Sequence, residues 1–184
     1  MRASQAVGLA ALFVAAAAGC SDPVTAPPVE FEASFRHAHR PTVGGTILTG
    51  RAEVPPNDSR AIGVAIFKVS RSGNSIRYRV SIAKIENTLM AHIHLAPRGE
   101  NGGIVVWLRP DGPPAQLIPG RFNGLYAEGT ITEESLVGDL AEATVADLVR
   151  EMRDGNTYVN VHTSQFPGGE IRGQIKVRGH GRHK

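Results

Sequence analysis

The residues most able to do chemistry lie in "MAHIHLAPRGENGG", residues 90–103, where His92 and His94 stand two apart in an apolar, strand-like run. On an extended strand, residues i and i+2 share a face, with Cα atoms roughly 6.5–7 Å apart. Two imidazoles so placed can converge on one ion, and imidazole nitrogen suits copper and zinc. A second stretch, "YVNVHT", puts Tyr158, Asn160 and His162 on one face, with Val159 and Val161 on the other. A third, "GEIRGQI", sets Glu170, Arg172 and Gln174 against Ile171 and Ile175. If these strands meet, His162 becomes a third metal ligand. Asn160 or Glu170 could then accept the other ring N–H and fix the tautomer.

The same alternation supports two further readings. In one, the polar residues form a buried hydrogen-bonded network, with Arg172 paired to Glu170 or bonded to backbone carbonyls. In the other, they cover the solvated or partner-binding face of an antiparallel sheet, as polar-out alternation commonly does. Other chemistries fit less well. Thr163 and Ser164 beside His162 lack a nucleophile-elbow pattern, and the carboxylates form no pair spaced for glycosidase work. Neither GxGxxG nor a Walker-type phosphate loop occurs. Trp107, in the apolar "IVVWL", is expected in the core.

Residues 43–178 must position these groups, and they are enough for one domain with a real core. Their pattern is β-rich. "AIGVAIFKVS" and "SIRYRVSIAKI" flank the turn "RSGN" and are expected to pair; Ile76, Tyr78, Val80 and Ile82 face one way, Arg77, Arg79 and Ser81 the other. "MAHIHLA" and "GIVVWLRP" read as two further short strands, "GLYAEGTIT" as another, and "TYVNVHT" with "GEIRGQIKV" as a last hairpin. One short helix is expected near 144–154, with Thr144 as cap, Val145, Leu148, Val149 and Met152 on its apolar face, and Gly155 as stop.

The flanks read differently. Residues 1–19 have a positive start at Arg2 and a short apolar run, "VGLAALFVAAAAG", which suits a secretory signal peptide better than a membrane span. The run ends in "AAGC", which resembles a bacterial lipobox, with Ala17 where Leu is usual. Cys20, the only cysteine, is the expected lipidation site and membrane anchor. It leaves no partner for an intramolecular disulfide. Ser21 rather than Asp after it points to the outer membrane, with the domain periplasmic or surface-facing. Residues 20–42, rich in Pro, Ser, Thr and Ala, are expected to be a flexible tether. Residues 179–184 form a basic tail. His37, His39, His180 and His183 lie in these flanks and are expected to be solvated. The formal charge is +3, and losing residues 1–19 removes only Arg2 and leaves +2. No basic stripe interleaved with aromatics marks a nucleic-acid partner.

Together, "AHIHLAPRGENGGIVVWL", "YVNVHTSQFPGGEIRGQI" and the opening "GRAEVPPNDSRAIGVAIF" resemble the signature blocks of the CHRD (chordin-type) domain over residues 43–178. Members usually carry a small residue after the histidine pair, where this chain has Leu95-Ala96-Pro97. The resemblance implies an all-β fold, an antiparallel Ig-like or superoxide-dismutase-like β-sandwich of Greek-key type, and implies little about activity. The expected protein is therefore a non-enzymatic, envelope-anchored lipoprotein. Two functional readings stay open: a copper or zinc site at His92, His94 and His162, or a structural or protein-interaction module without metal. A superoxide-dismutase-like redox enzyme stands furthest off, because the core has too few histidines for two metals. An envelope protein partner is left unidentified.

Overall fold

The computed structural model describes residues 43–177. The expected signal peptide, Cys20, the tether and the basic tail lie outside the described residues. Among the described residues, eight strands run in chain order: β1 (Val43–Thr49), β2 (Ile62–Val69), β3 (Ile76–Leu95), β4 (Gly103–Arg109), β5 (Ile118–Ile131), β6 (Thr157–Thr163), β7 (Ile171–Gln174) and β8 (Lys176–Val177). The α-helix α1 (Val145–Asp154) precedes β6. No helix of the described residues is long and apolar enough to cross a membrane.

The strands pair antiparallel in the cycle β2–β1–β7–β6–β3 and back to β2, which makes a closed five-stranded barrel. β4 and β5 extend it along β3, and β8 adds to β1. The all-β expectation stands, but the two-sheet sandwich is corrected to a barrel. The reason lies in β3. The runs "SIRYRVSIAKI" and "MAHIHLA", read from sequence as two strands, are one strand of 20 residues. Its first part pairs with β2 and β5, its last part with β6 and β4. One strand thus contributes to both halves of the ring and leaves no free edge between them.

β3 makes that passage through irregular backbone. Its register against β5 shifts between Ile82 and Ile85 and again between Glu86 and Thr88. Lys84 and Asn87 take positive φ values of 59° and 52°. Such bulges add local twist, and Asn tolerates the left-handed region better than most residues. The freed polar groups find partners: Asn123 Oδ1 accepts from Lys84 N at 2.9 Å, and Asn87 Oδ1 accepts from Gly120 N at 2.8 Å.

The barrel interior follows the expected alternation. Ile76, Tyr78, Val80 and Ile82 are buried with Ala65 and Phe67 of β2, while Arg77, Arg79 and Ser81 face outward. On the later strands Ala91, Ile93, Val159, Val161 and Ile171 complete the core. Each large apolar side chain so buried contributes roughly 1.5–3 kcal/mol. The helix matches its sequence signals closely. Val145, Leu148, Val149 and Met152 are buried, Thr144 and Asp147 form a capping box, and Gly155 ends the helix at φ 79°.

Candidate metal centre

The face of β3 and β6 opposite the core carries the histidines. Cross-strand register sets His94 against Tyr158, His92 against Asn160 and Met90 against His162. His162 is therefore the diagonal neighbour of His92, close enough for their rings to meet. On the other side of β6, Asn160 faces Arg172 and Tyr158 faces Gln174 of β7. Sequence alternation alone thus assembles one polar face from three strands.

That face is not solvated. His92, His94 and His162 are 0 %, 8 % and 5 % exposed, which removes the reading of a water-covered sheet. Loops close over it. The turn from Pro97 to Gly102 is drawn in by Arg172, whose guanidinium donates to Glu100 O at 2.7 Å and Asn101 Oδ1 at 3.0 Å. Asn101 Nδ2 in turn donates to Val54 O at 2.8 Å, tying down the segment after the short turn Gly50–Ala52. On the far side Ser164 N donates to the carbonyl of Asn87, anchoring the loop that carries Pro167. The bend of β3 thereby helps to seat this loop.

The three rings form one cluster. Each offers a ring nitrogen within 4.8 Å of the other two. His92 Nδ1 and His162 Nε2 are 3.2 Å apart. Two nitrogens bound tetrahedrally at ~2.05 Å to one ion would sit roughly 3.3 Å apart, so this pair has a chelating spacing once the His92 proton moves from Nδ1 to Nε2. Carbonyls settle two tautomers. His94 Nδ1–H donates to Gly102 O at 3.0 Å, and His162 Nδ1–H donates to Pro167 O at 2.9 Å. Both Nε2 atoms therefore carry lone pairs, and the His162 lone pair receives the His92 Nδ1–H. Among the described residues, the Nε2 atoms of His92 and His94 are then buried acceptors without a partner. Leaving such groups unpaired costs about 1–3 kcal/mol each.

Burial holds the cluster neutral. It pushes the His92 pKa down to about 3, helped by charge repulsion from His162 and His94. Burial likewise brings His94 down to about 4 against the opposing bond to Gly102, with His162 and Arg172 adding to the depression. His162 is lowered as well, mainly by burial. Neutral imidazole is the form that ligates metals.

Around the cluster lie groups with distinct tasks. The Tyr158 ring stacks on His94 at 4.8 Å, and the Arg172 guanidinium lies 3.4 Å from the centre of that same ring. Of the two arrangements expected for Arg172, the bond to a backbone carbonyl is the one formed. Glu170 instead accepts from Ser59 Oγ and Thr163 Oγ1, both at 2.7 Å, and so fastens the loop before β2 to the end of β6. Asn160 Nδ2 donates to Glu53 Oε2 at 3.2 Å. The partners of the His94 and His162 ring N–H groups are therefore carbonyls, not Asn160 or Glu170 as expected. Gly169 sits against Asn160, where a Cβ would lie 2.4 Å from Oδ1.

Three participants escaped sequence reasoning. Glu53 is buried, and burial raises its pKa to about 7 in spite of Arg172 and the Asn160 bond. Tyr158 was placed on the polar face but given no task. Trp107 was expected in the core; it is half-buried and packs edge-on to His92 with ring centroids 4.2 Å apart.

These ionisations predict an acid-sensitive metal-free fold. Between the lowered imidazole pKa values and the ordinary 6.5, the unfolded chain binds protons that the native state does not. Stability from this source is present above 6.5 and lost as pH falls. Glu53 acts oppositely, since its raised pKa stabilises the fold below 4.5 and that gain is lost as pH rises through about 7. Three imidazoles outweigh one carboxyl. The melting temperature of metal-free protein should therefore drop between about pH 7 and pH 5, and Glu53→Gln should steepen the drop. A melting temperature that stays level or climbs on acidification, followed by calorimetry, would contradict this balance.

The model of the CHRD domain family matches residues 45–175, most of the chain and all three histidines. The chain belongs to the CHRD domain family. Searches of the curated proteins and of the solved structures returned no match.

Proposed function

We propose that this chain is a non-enzymatic binding module of the cell envelope, held by a lipid on Cys20, whose His92–His94–His162 cluster binds one copper or zinc ion. The observation that carries the metal reading is the set of three neutral imidazoles, two with tautomers fixed by carbonyls, whose nitrogens converge while two of their buried ring nitrogens lack a partner among the described residues. A metal supplies the Lewis acid to which their lone pairs donate. The residues fit it chemically: three imidazoles are an established donor set for copper and zinc, and carbonyls already hold two of the rings.

The second reading, a metal-free hydrogen-bond network, has its own observation in the 3.2 Å contact between His92 and His162. It explains that pair and leaves the Nε2 atoms of His92 and His94 without purpose. Trp107, the only tryptophan, packs on His92 and reports on the site directly. With His37, His39, His180 and His183 replaced by Gln, copper should quench Trp107 fluorescence and saturate at one equivalent. A titration without a break at one equivalent supports the network instead.

The anchoring rests on "AAGC" and the apolar run before it. Cys20→Ser should leave the exported chain unlabelled by radioactive palmitate and release it from membranes. Equal labelling of both forms would remove the lipoprotein reading.

A further inference from the structure

Beside the three histidines lies a side chain of a different kind. Met90 is the direct cross-strand partner of His162 in the β3–β6 ladder, and it stands two residues before His92 and four before His94. From Met90 to Leu95 the pairing with β6 runs without a shift, so strict alternation applies. Ala91 and Ile93 point into the barrel core at 0 % exposure, and Met90 therefore shares the opposite face with the imidazoles. Directly paired residues have Cβ atoms roughly 4.5–5.5 Å apart, and a methionine side chain has three rotatable bonds with which to turn its sulfur toward a neighbour. Met90 is half-buried and joins neither the apolar core nor the partly buried side chains packed on it. Met152, by contrast, is buried in the core from α1. Packing thus accounts for Met152 and leaves Met90 beside a nitrogen cluster.

We infer that Met90 is the fourth ligand of the site, making it a three-imidazole, one-thioether centre selective for copper in its cuprous form over zinc. The inference rests on the metal reading of the histidine cluster and names its ion. Thioether sulfur is a soft donor; it favours Cu(I) and adds little for Zn(II), which prefers thiolate, imidazole and carboxylate. The surroundings act in the same direction. The Arg172 guanidinium lies over the Tyr158 ring that stacks on His94, which places a positive charge beside the site, and the cost of burying an ion climbs with the square of its charge. A monovalent ion is therefore favoured over a divalent one in this pocket.

The test uses the full chain with the four flanking histidines changed to Gln. Affinities are measured anaerobically, Cu(I) by competition with a chromophoric chelator and Zn(II) by competition with a fluorescent one. Met90→Leu preserves bulk and apolarity while removing sulfur. It should weaken Cu(I) binding by roughly tenfold or more and leave Zn(II) binding within about twofold. In selenomethionine-labelled protein of otherwise unchanged sequence, X-ray absorption should place selenium in the copper's first coordination shell. This arm decides the matter even if Met90→Leu folds poorly. Unchanged Cu(I) affinity in Met90→Leu, or a first shell of nitrogen alone, overturns the role of Met90 and leaves the histidine site intact. If the protein takes up neither metal, or if His92→Ala/His94→Ala binds as tightly, the metal reading falls and this inference falls with it.

Discussion

Replacing His92 and His94 by alanine should abolish stoichiometric metal binding, lowering affinity by more than about a hundredfold. Loss of a mere outer-shell partner of a metal ligand already costs ~10–100-fold, and this change removes two of three imidazoles. The stability readout separates ligation from packing. A metal that binds only the native state raises stability by about 2.7 kcal/mol at a hundred times its Kd. The parent protein should therefore melt higher with copper than without it, and the double variant should show no such increment. Its metal-free melting temperature will also move, because two buried side chains are truncated. That shift says nothing about metal. The difference between the loaded and unloaded curves carries the result, and an increment that survives the double substitution would place the metal elsewhere.

The second large effect is expected at Gly102→Ala, a residue that touches no ion. A Cβ on Gly102 would lie 1.8 Å from the Leu95 carbonyl oxygen and 2.9 Å from Ala96 Cβ. Both obstacles are close in the chain and well packed, so the loop must move. The moved loop carries the carbonyl that fixes His94 and the N–H that donates to Tyr158 Oη at 3.3 Å. Overpacking costs about 1–3 kcal/mol and each lost hydrogen bond about 1 kcal/mol, so a loss of roughly 2–4 kcal/mol is expected. In a domain of this size that lowers the melting temperature by roughly 10 °C. Metal affinity should fall too, because an unfixed His94 ring no longer presents Nε2 to the cluster. Gly103→Ala, one residue on and with open space at its Cβ, should leave both nearly unchanged. Similar melting curves for the two alanine variants would show that the loop is less tightly held than its contacts suggest.

Much of this site could be read from the order of residues. Alternation put His92 with His94, and Tyr158 with Asn160 and His162, and the structure pairs those strands in adjacent register. The helix announced itself through Thr144, Gly155 and four apolar positions. The barrel was less legible because residues 84–88 of β3 break the period of two. Lys84 and Asn87 adopt backbone that glycine favours; Asn87 is only a weak local signal for it, and nothing in "KIENT" marks Lys84. A run that looked like a gap between strands is what closes the ring.

The misreading of Trp107 has a similar cause. Register shifts between β3 and β4 let adjacent Val105 and Val106 both be buried, so "IVVWL" reads in sequence as wholly core. Glu170 alternates correctly with Arg172, yet its partners come from a distant serine and the end of β6, which spacing could not supply. Glu53 lies in a Pro-rich turn whose approach to Asn160 depends on the whole chain. Met90 carries no signal of its own in an apolar run; only its cross-strand pairing with His162 sets it apart.

Ligation by His92, His94 and His162 is tested most directly by the metal content of full-length protein whose four flanking histidines have been changed to Gln, purified without a metal-affinity tag and equilibrated with copper and zinc before gel filtration. One metal ion per chain should be retained through the column and lost when His162→Ala is introduced. Less than a tenth of an equivalent in the parent, or an equal content in the His162 variant, would contradict it.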